Sequence, residues 1–383
     1  MFWLSLVTLL VVTTGLLADP KRGLAALQGV HHYMTHELGS LFLGFVFVGI
    51  IWLGWLAFSR YGNVVFGDPD EPPTYSNISW FGMLFCAGIG SNLLYFGATE
   101  WMGYAITPPP LSGVLSGDPK ALDWASAYSF FHWGIAAWAT YAIATLPIAY
   151  ILHVERSKTL RVSTACSAVL GKHADGPWGK LIDILFIFGL VGGVGTSLGV
   201  GVPMLSAVAS ELFGVERGLQ LDVMIVIGLT AVFSYSVSAG LDKGIKLLSD
   251  INVGLAILLM GFFFFMGPTA FITNQAFDGI AVMFQNFIEM SLRTDAGSGN
   301  DFVANNTIFF WAWWLSWAPF MGLFVARISR GRTVRQVILG CVGGGSIACW
   351  AGFSILGHST MKFIADGQGK LSKLYADAQL PNG

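Results

Sequence analysis

Charge is what this sequence has least of. Only 11% of its 383 residues are Asp, Glu, Lys or Arg, against about 25% in soluble domains, whereas 54% are hydrophobic and mean hydropathy is +0.66. The 20 basic and 22 acidic residues nearly cancel, so no basic face is offered to nucleic acid and no acidic run reads as a solvating tail. Cysteine is scarce as well: Cys86, Cys166, Cys341 and Cys349 lack metal-ligand or disulfide-framework spacing. Neither a histidine–carboxylate metal motif nor a Gly-x-Ser-x-Gly nucleophile turn occurs, which leaves a membrane-embedded enzyme without a reacting pair. The ring of carbonyls or charges that an open ion pore requires is not legible either.

What the sequence does have is long apolar stretches parted by short charged ones. Nine approach the roughly 20 residues that cross a bilayer core: 1–18, 39–59, 79–103, 126–152, 179–212, 220–239, 251–273, 305–327 and 336–357. They are too long and too uniformly apolar for the alternating strands of a membrane barrel, so the fold class is all-α and polytopic. No Lys or Arg precedes the first stretch, which argues against a signal peptide. With the N-terminus in the cytoplasm, the inner loops collect Arg60, Arg156, Lys158, Arg161, Lys172, Lys180, Lys243, Lys246, Arg327, Arg330, Arg332 and Arg335, twelve of the 20 cations. The positive-inside rule selects that orientation and a multi-pass protein of the cell's inner membrane.

Several segments depart from plain membrane helix. Between Ala276 and Leu292, Phe277, Ile280, Ala281, Phe284, Phe287 and Ile288 recur at helical spacing among Asp278, Gln285, Asn286 and Glu289. That pattern predicts an amphipathic helix in the outer interface, an anchor or a moving part. The third stretch contains Gly88-Ile89-Gly90-Ser91-Asn92, which suits either close helix packing or an unwound turn facing a cavity. The eighth holds Trp311, Trp313, Trp314 and Trp317 followed by Pro319, and the fourth holds Trp133, Trp138 and Tyr141. At 100° per residue, Trp313, Trp314 and Trp317 share one arc, and Trp133, Trp138 and Tyr141 spread over a wider one. Two such arcs facing each other make a box. A quaternary ammonium has no N–H to donate, so ring faces rather than hydrogen bonds must hold it, at about 0.5–2 kcal/mol per desolvated ring. A structural aromatic cluster fits the same spacing.

The run from Trp311 to Phe320 (WAWWLSWAPF) and the run from Ala326 to Thr333 (ARISRGRT) resemble the signature of the betaine/carnitine/choline transporter family. So do Phe131 to Gly134 (FHWG), Gly195 to Gly199 (GTSLG) and Ser238 to Lys246 (SAGLDKGIK). The likeness extends from about Phe2 to His358. It implies a leucine-transporter-type inverted-repeat fold with two additional N-terminal helices. The expected organisation is residues 1–78 for those two helices, 79–273 for the first five-helix repeat, 274–304 for the interfacial helix and its loop, and 305–383 for two helices of an incomplete second repeat plus an outer loop. The chain then reads as a fragment or truncated product lacking three helices. The implied activity is secondary transport of a trimethylammonium-type solute by alternating access, with a homotrimer as the usual assembly and no cofactor beyond a coupling ion. A solute sensor that does not transport, and a sodium-independent exchanger, are the alternatives.

Position by position, the resemblance assigns Trp133, Trp138, Tyr141, Trp313, Trp314 and Trp317 to the substrate box, with Tyr95 as a gating aromatic. Asn92 stands where sodium-coupled betaine carriers commonly have a third glycine, and it either bonds the solute or ties two helices. Leu190 and Val194 occupy positions where sodium-coupled relatives can place threonine ligands, so one ion site looks dismantled. No Lys or Arg lies between Lys246 and Arg293, which leaves the fixed arginine of the exchangers without a counterpart and favours a mobile sodium ion. Its site would draw on backbone near Cys86 and Ile89, with Phe320 assigned beside them. Glu100 is expected at the outer interface as a helix-orienting group, His132 in a packing role, and His32 and His36 without the third ligand a metal needs. Arg327, Arg330, Arg332 and Arg335 are positive-inside residues that could also close a cytoplasmic gate.

Overall fold

The computed structural model describes residues 2–297 and 299–366. In chain order its principal helices are α1 (Phe2–Ala18), α2 (Pro20–His32), α3 (Gly39–Phe58), α4 (Asn77–Ile89), α5 (Asn92–Ile106), α6 (Lys120–Trp133) and α7 (Ile135–Ala149). There follow α8 (Pro177–Phe213), α9 (Leu219–Ser238), α10 (Lys246–Met266), α11 (Thr269–Leu292), α12 (Phe309–Ile328) and α13 (Gly345–Ala365). Among the described residues seven helices or helical runs are long and apolar enough to cross a membrane, and nine spans result if each of two bent pairs counts as one. Each of those nine overlaps one of the nine stretches read from the sequence. The outer loop expected to end the chain falls outside the described residues.

Both bent pairs have local causes. At the first, Asp19 accepts from the Arg22 amide at 3.1 Å and Pro20 opens α2, an N-cap and first-turn proline that start a new helix rather than prolong the old one; the chain bends by 119°. The first stretch is thus followed by a second helical arm rather than a plain loop. At the second, Gly90 adopts φ +53° and ψ −137°, a conformation essentially closed to residues with a Cβ, and the pair bends by 55°. The helix therefore unwinds within the Gly88–Asn92 stretch.

One expected boundary moves. The seventh stretch was to run to residue 273, but α10 ends at Met266, because Gly267 leaves the helical region and Pro268 cannot continue the hydrogen-bond ladder. The amphipathic helix accordingly begins at Thr269, before the expected 274. Its buried positions are Ile272, Gln275, Gly279, Met283, Met290 and Ser291, while Phe277, Phe284 and Ile288 stay exposed.

The chain forms two compact units. The first comprises Met1–Tyr75, Ile135–Gly193 and Phe287–Gly344. Here α3 buries one stripe, Leu43, Val46, Gly49, Leu53 and Ala57, with Gly49 against Ile143 of α7. Its opposite face is equally apolar yet exposed, with Leu41, Val48 and Ile51 all more than half accessible; that is the composition of a helix whose outer solvent is lipid. Helices α7 and α12 pack closely at Gly322, where a Cβ would lie 2.9 Å from the Ala144 carbonyl carbon.

The arginine run after α12 is bound into this unit. Phe66 N donates to Arg332 O at 2.8 Å, Gly331 N to Phe66 O at 2.7 Å and Val334 N to Val64 O at 2.9 Å, with Val65 and Thr333 in an antiparallel bridge. Arg330 Nε reaches Glu71 Oε1 at 2.6 Å, Arg332 Nη2 reaches Tyr75 O at 2.9 Å and Arg335 Nε reaches Ala57 O at 2.7 Å. Arg156 pairs with Asp68. The Arg330 guanidinium, assisted by the Asp68 amide, holds the Glu71 carboxyl below its ordinary value. A depressed carboxyl contributes stability above its unfolded-state value and loses that contribution as pH falls through the lowered folded one. We expect the Glu71 carboxyl carbon to titrate below a free glutamate in an isotope-edited infrared or NMR experiment, and Arg330→Gln to return it to the ordinary range. An unchanged midpoint in that variant would remove Arg330 as the cause.

The second unit comprises Ser76–Gly134, Val194–Asn286 and Gly345–Gly383. Its centre is the packing of α5 against α6 and α13. Gly97, Gly352 and Gly357 allow the α5–α13 approach: a Cβ on Gly357 would stand 2.9 Å from Gly97 O. Trp101 Nε1 donates to Thr360 Oγ1 at 2.9 Å and Thr360 Oγ1 to Ala98 O at 2.8 Å. Small residues and hydroxyl bonds supply what apolar burial cannot between helices already in lipid.

Candidate functional site

The fourth membrane stretch is not one regular helix. Gly134, at φ −101° and ψ −138°, separates α6 from α7, and Trp350 Nε1 donates to Phe130 O at 2.9 Å beside the break. A Cβ at Gly134 would fall 2.6 Å from that indole nitrogen. The arc expected for Trp133, Trp138 and Tyr141 assumed 100° per residue throughout, so it does not survive the break. Trp133 closes α6 in the second unit, and Trp138 and Tyr141 lie on α7 in the first.

In the first unit, rings from α7 and α12 converge. Trp138 and Tyr141, one turn apart, meet at 87° with centroids 5.7 Å apart. Trp314 lies 4.9 Å from Tyr141 and 6.2 Å from Trp138. All three are buried, and residues 135–149 and 309–326 contain no Lys or Arg. Indole and phenol faces on helices without Lys or Arg are the kind of surface that attracts a positively charged methylated group. The other two α12 candidates have different neighbours: Trp313 packs with Phe309 at 6.2 Å and Phe310 at 6.0 Å, and Trp317 with Phe320 at 5.8 Å and alongside Gly193. A 100° step between Trp313 and Trp314 sends adjacent indoles to different sectors of the helix.

The second unit holds the remaining candidates. Tyr95 is 38% exposed and meets Phe96 edge-on at 5.0 Å, so it belongs to the surface of α5. Asn92 opens α5, and its Oδ1 is buried without a hydrogen-bond partner among the described residues. The Cys86 carbonyl accepts the Gly90 amide at 3.2 Å, and the Cys86 thiol faces Ser249 O at 3.7 Å; Ile89 is buried at the end of α4. Phe320 lies in the first unit beside Trp317.

Glu100, expected at the outer interface as a helix-orienting group, is buried inside the unit at 9% exposure. Its Oε2 accepts the Trp133 indole N–H at 2.5 Å and its Oε1 the Tyr104 hydroxyl at 2.7 Å. Tyr104 Oη also lies 2.7 Å from His132 Nδ1. His132 keeps the packing role expected of it. The signal available in the sequence was Glu100 and Tyr104 at i, i+4, one face of a helix. His36, the other histidine of interest, bonds Asp301 Oδ1 at 3.2 Å and stacks on His32 at 4.0 Å.

The model of the betaine/carnitine/choline family of transporters matches residues 1–382. The chain is 39% identical over 356 residues to the glycine betaine transporter OpuD of Bacillus subtilis, covering 92% of this chain and 69% of that protein. It is 37% identical over 335 residues to the ectoine/hydroxyectoine transporter of Virgibacillus pantothenticus, covering 86% and 65%. Against the carnitine transporter of Acinetobacter baumannii identity is 34% over 366 residues, covering 94% and 65%. The chain thus spans 65–69% of the length of these three relatives. It belongs to the betaine/carnitine/choline transporter family.

Proposed function

We propose that this chain carries a small onium solute, such as glycine betaine, choline or carnitine, across the membrane by alternating access, coupled to a cation. The observation that carries the reading is the buried, cation-free convergence of Trp138, Tyr141 and Trp314. Three rings at about 0.5–2 kcal/mol each are sufficient to select a methylated cation over its uncharged isostere. Trp133, Trp313 and Trp317 are further onium-contacting candidates on the family resemblance, as are Tyr95 for gating, Asn92 for a polar group of the solute, and the backbone near Cys86, Ile89 and Phe320 for sodium. The N-terminus is assigned to the cytoplasm by the distribution of Lys and Arg, and a homotrimer by the resemblance.

Uptake into liposomes, run with and without a sodium gradient and with competing betaine, choline, carnitine and tert-butylacetate, tests the proposal. Tert-butylacetate is glycine betaine with a quaternary carbon in place of nitrogen. Transport is expected to be blocked by the onium solutes and not by this analogue, and Trp138→Leu is expected to erase most of the preference. Equal competition by both would reject the cage, and binding without flux would mark a sensor instead of a carrier.

A further inference from the structure

The N-terminal arm is a part of the first unit that the transport reading leaves unused. Helix α1 offers 17 residues without a charge, the lower limit of a membrane span. Helix α2 does not prolong it: Lys21 and Arg22 stand in its first turn, and the chain bends by 119° between the two helices. On α2, Gly23 faces back onto α1, where its Cβ would strike the Leu16 carbonyl oxygen. At 100° per residue, Leu27 and Val30 lie within about 40° of Gly23, Leu24 and Arg22 flank that side, and Lys21, Gln28 and His32 lie opposite. The face of α2 that looks back along α1 is therefore its apolar one, yet Leu24, Leu27 and Val30 are 57%, 53% and 58% exposed. The far end of the arm is held at the start of α12. His36 Nε2 lies 3.2 Å from Asp301 Oδ1, the His31 ring 6.1 Å from that of Phe309, and a Cβ on Gly39 would stand 2.6 Å from Ile308 Cδ1.

We propose that α2 lies in the bilayer surface, with Leu27 and Val30 among the first acyl carbons and Lys21, Gln28 and His32 toward water, and so braces the start of α12 against the lipid. Lipid is the occupant that fits the exposed apolar face, because the arm leads into apolar helices at both ends, α1 and α3, and Leu27 and Val30 sit on the inside of the bend, on the side where α1 runs through the membrane. An amphipathic helix holds to such a surface by burying its apolar face about 5–10 Å into the boundary between headgroups and acyl chains. The polar residues opposite Gly23 keep it from sinking further.

The experiment is spin labelling of the full chain in liposomes of phosphatidylethanolamine and phosphatidylglycerol. Cys86 and Cys166 are replaced by serine, while Cys341 and Cys349, both 0% exposed, stay. Single nitroxides are then attached at Leu27→Cys, Val30→Cys, Gln28→Cys and His32→Cys. Power saturation with oxygen and with a nickel chelate is expected to place the first two labels about 5–10 Å below the headgroups and to leave the other two within reach of nickel. Nickel reaching all four alike would put the arm in water, and all four beyond its reach would make the arm a re-entrant segment. Labels at positions 27 and 30 shielded from oxygen as well would mean that a second copy covers them; each of these results overturns the proposal. If the serine background does not fold, hydrogen exchange in the same liposomes decides with the native cysteines in place. Leu27→Gln with Val30→Gln should speed exchange of the α2 amides by about fivefold or more, and Lys21→Gln with Gln28→Asn should leave it within about twofold of the parent. Equal exchange in the two pairs overturns the proposal by that route. Neither readout involves a solute, so the outcome is separate from what the rings bind.

Discussion

Alanine at Gly331 is expected to destabilise the protein by roughly 3–5 kcal/mol, the range reserved for substitutions that meet more than one penalty. Gly331 has φ +79°, and its Cβ would lie 2.5 Å from the Pro72 carbonyl carbon and 2.7 Å from Pro73 N. The left-handed conformation alone costs an L-residue about 1–2 kcal/mol. The obstacle is proline backbone, which cannot rotate aside as a side chain would. Moving Gly331 away breaks its bond to Phe66 O, a further loss of about 1 kcal/mol. Two other glycines calibrate the result. Gly90 has φ +53° but nothing nearer its Cβ than Cys86 O at 4.0 Å, so alanine there carries strain alone, about 1–3 kcal/mol. Gly15 sits inside α1 with open space around it, and alanine there should gain up to about 1 kcal/mol of helix propensity. Denaturant unfolding in detergent should rank Gly331→Ala below Gly90→Ala and both below Gly15→Ala; equal losses at 331 and 90 would mean that the Pro72–Pro73 segment yields.

Such ranking was not open to the sequence, although much else was. Nine membrane stretches could be read because a bilayer imposes length and apolarity segment by segment, independent of how the segments later pack. The Gly-Pro stop after Met266 is a local signal of the same kind, since proline lacks an N–H, but the stretch 251–273 runs through it. Other features depend on partners distant in sequence. Nothing near Gly134 announces that Trp350 will occupy the space of its Cβ, so helical periodicity runs through it and puts Trp133 on the same arc as Trp138 and Tyr141. The partners of Glu100 are only half legible: Tyr104 lies one turn on along α5, but the Trp133 N–H comes from another helix. The aromatic composition of α7 and α12 was legible, and which of three tryptophans turns toward α7 was not. Spacing narrows that choice to an arc, and the arc contains more residues than the contact uses.

Removing the Trp314 ring is expected to separate two quantities that a packed aromatic cluster ties together. Trp314 is buried against Tyr141 at 4.9 Å and Trp138 at 6.2 Å, so Trp314→Ala should cost about 3–5 kcal/mol of stability from the lost volume. If the three rings also hold an onium head, affinity for glycine betaine falls as well, by about tenfold or more, which is 1.4 kcal/mol and within the range of one desolvated ring. Trp314→Phe keeps a face in place and should recover most of the affinity while recovering less of the stability. Trp311 supplies the control, being equally buried on the same helix at 1% exposure without belonging to the ring trio. Trp311→Ala should lose comparable stability with glycine betaine affinity within about twofold of the parent. Isothermal titration beside thermal unfolding of each variant measures both quantities in one preparation. Should Trp311→Ala and Trp314→Ala lose affinity in equal proportion, the solute senses the integrity of α12 rather than the indole at position 314, and the cage would have to be sought elsewhere in the chain.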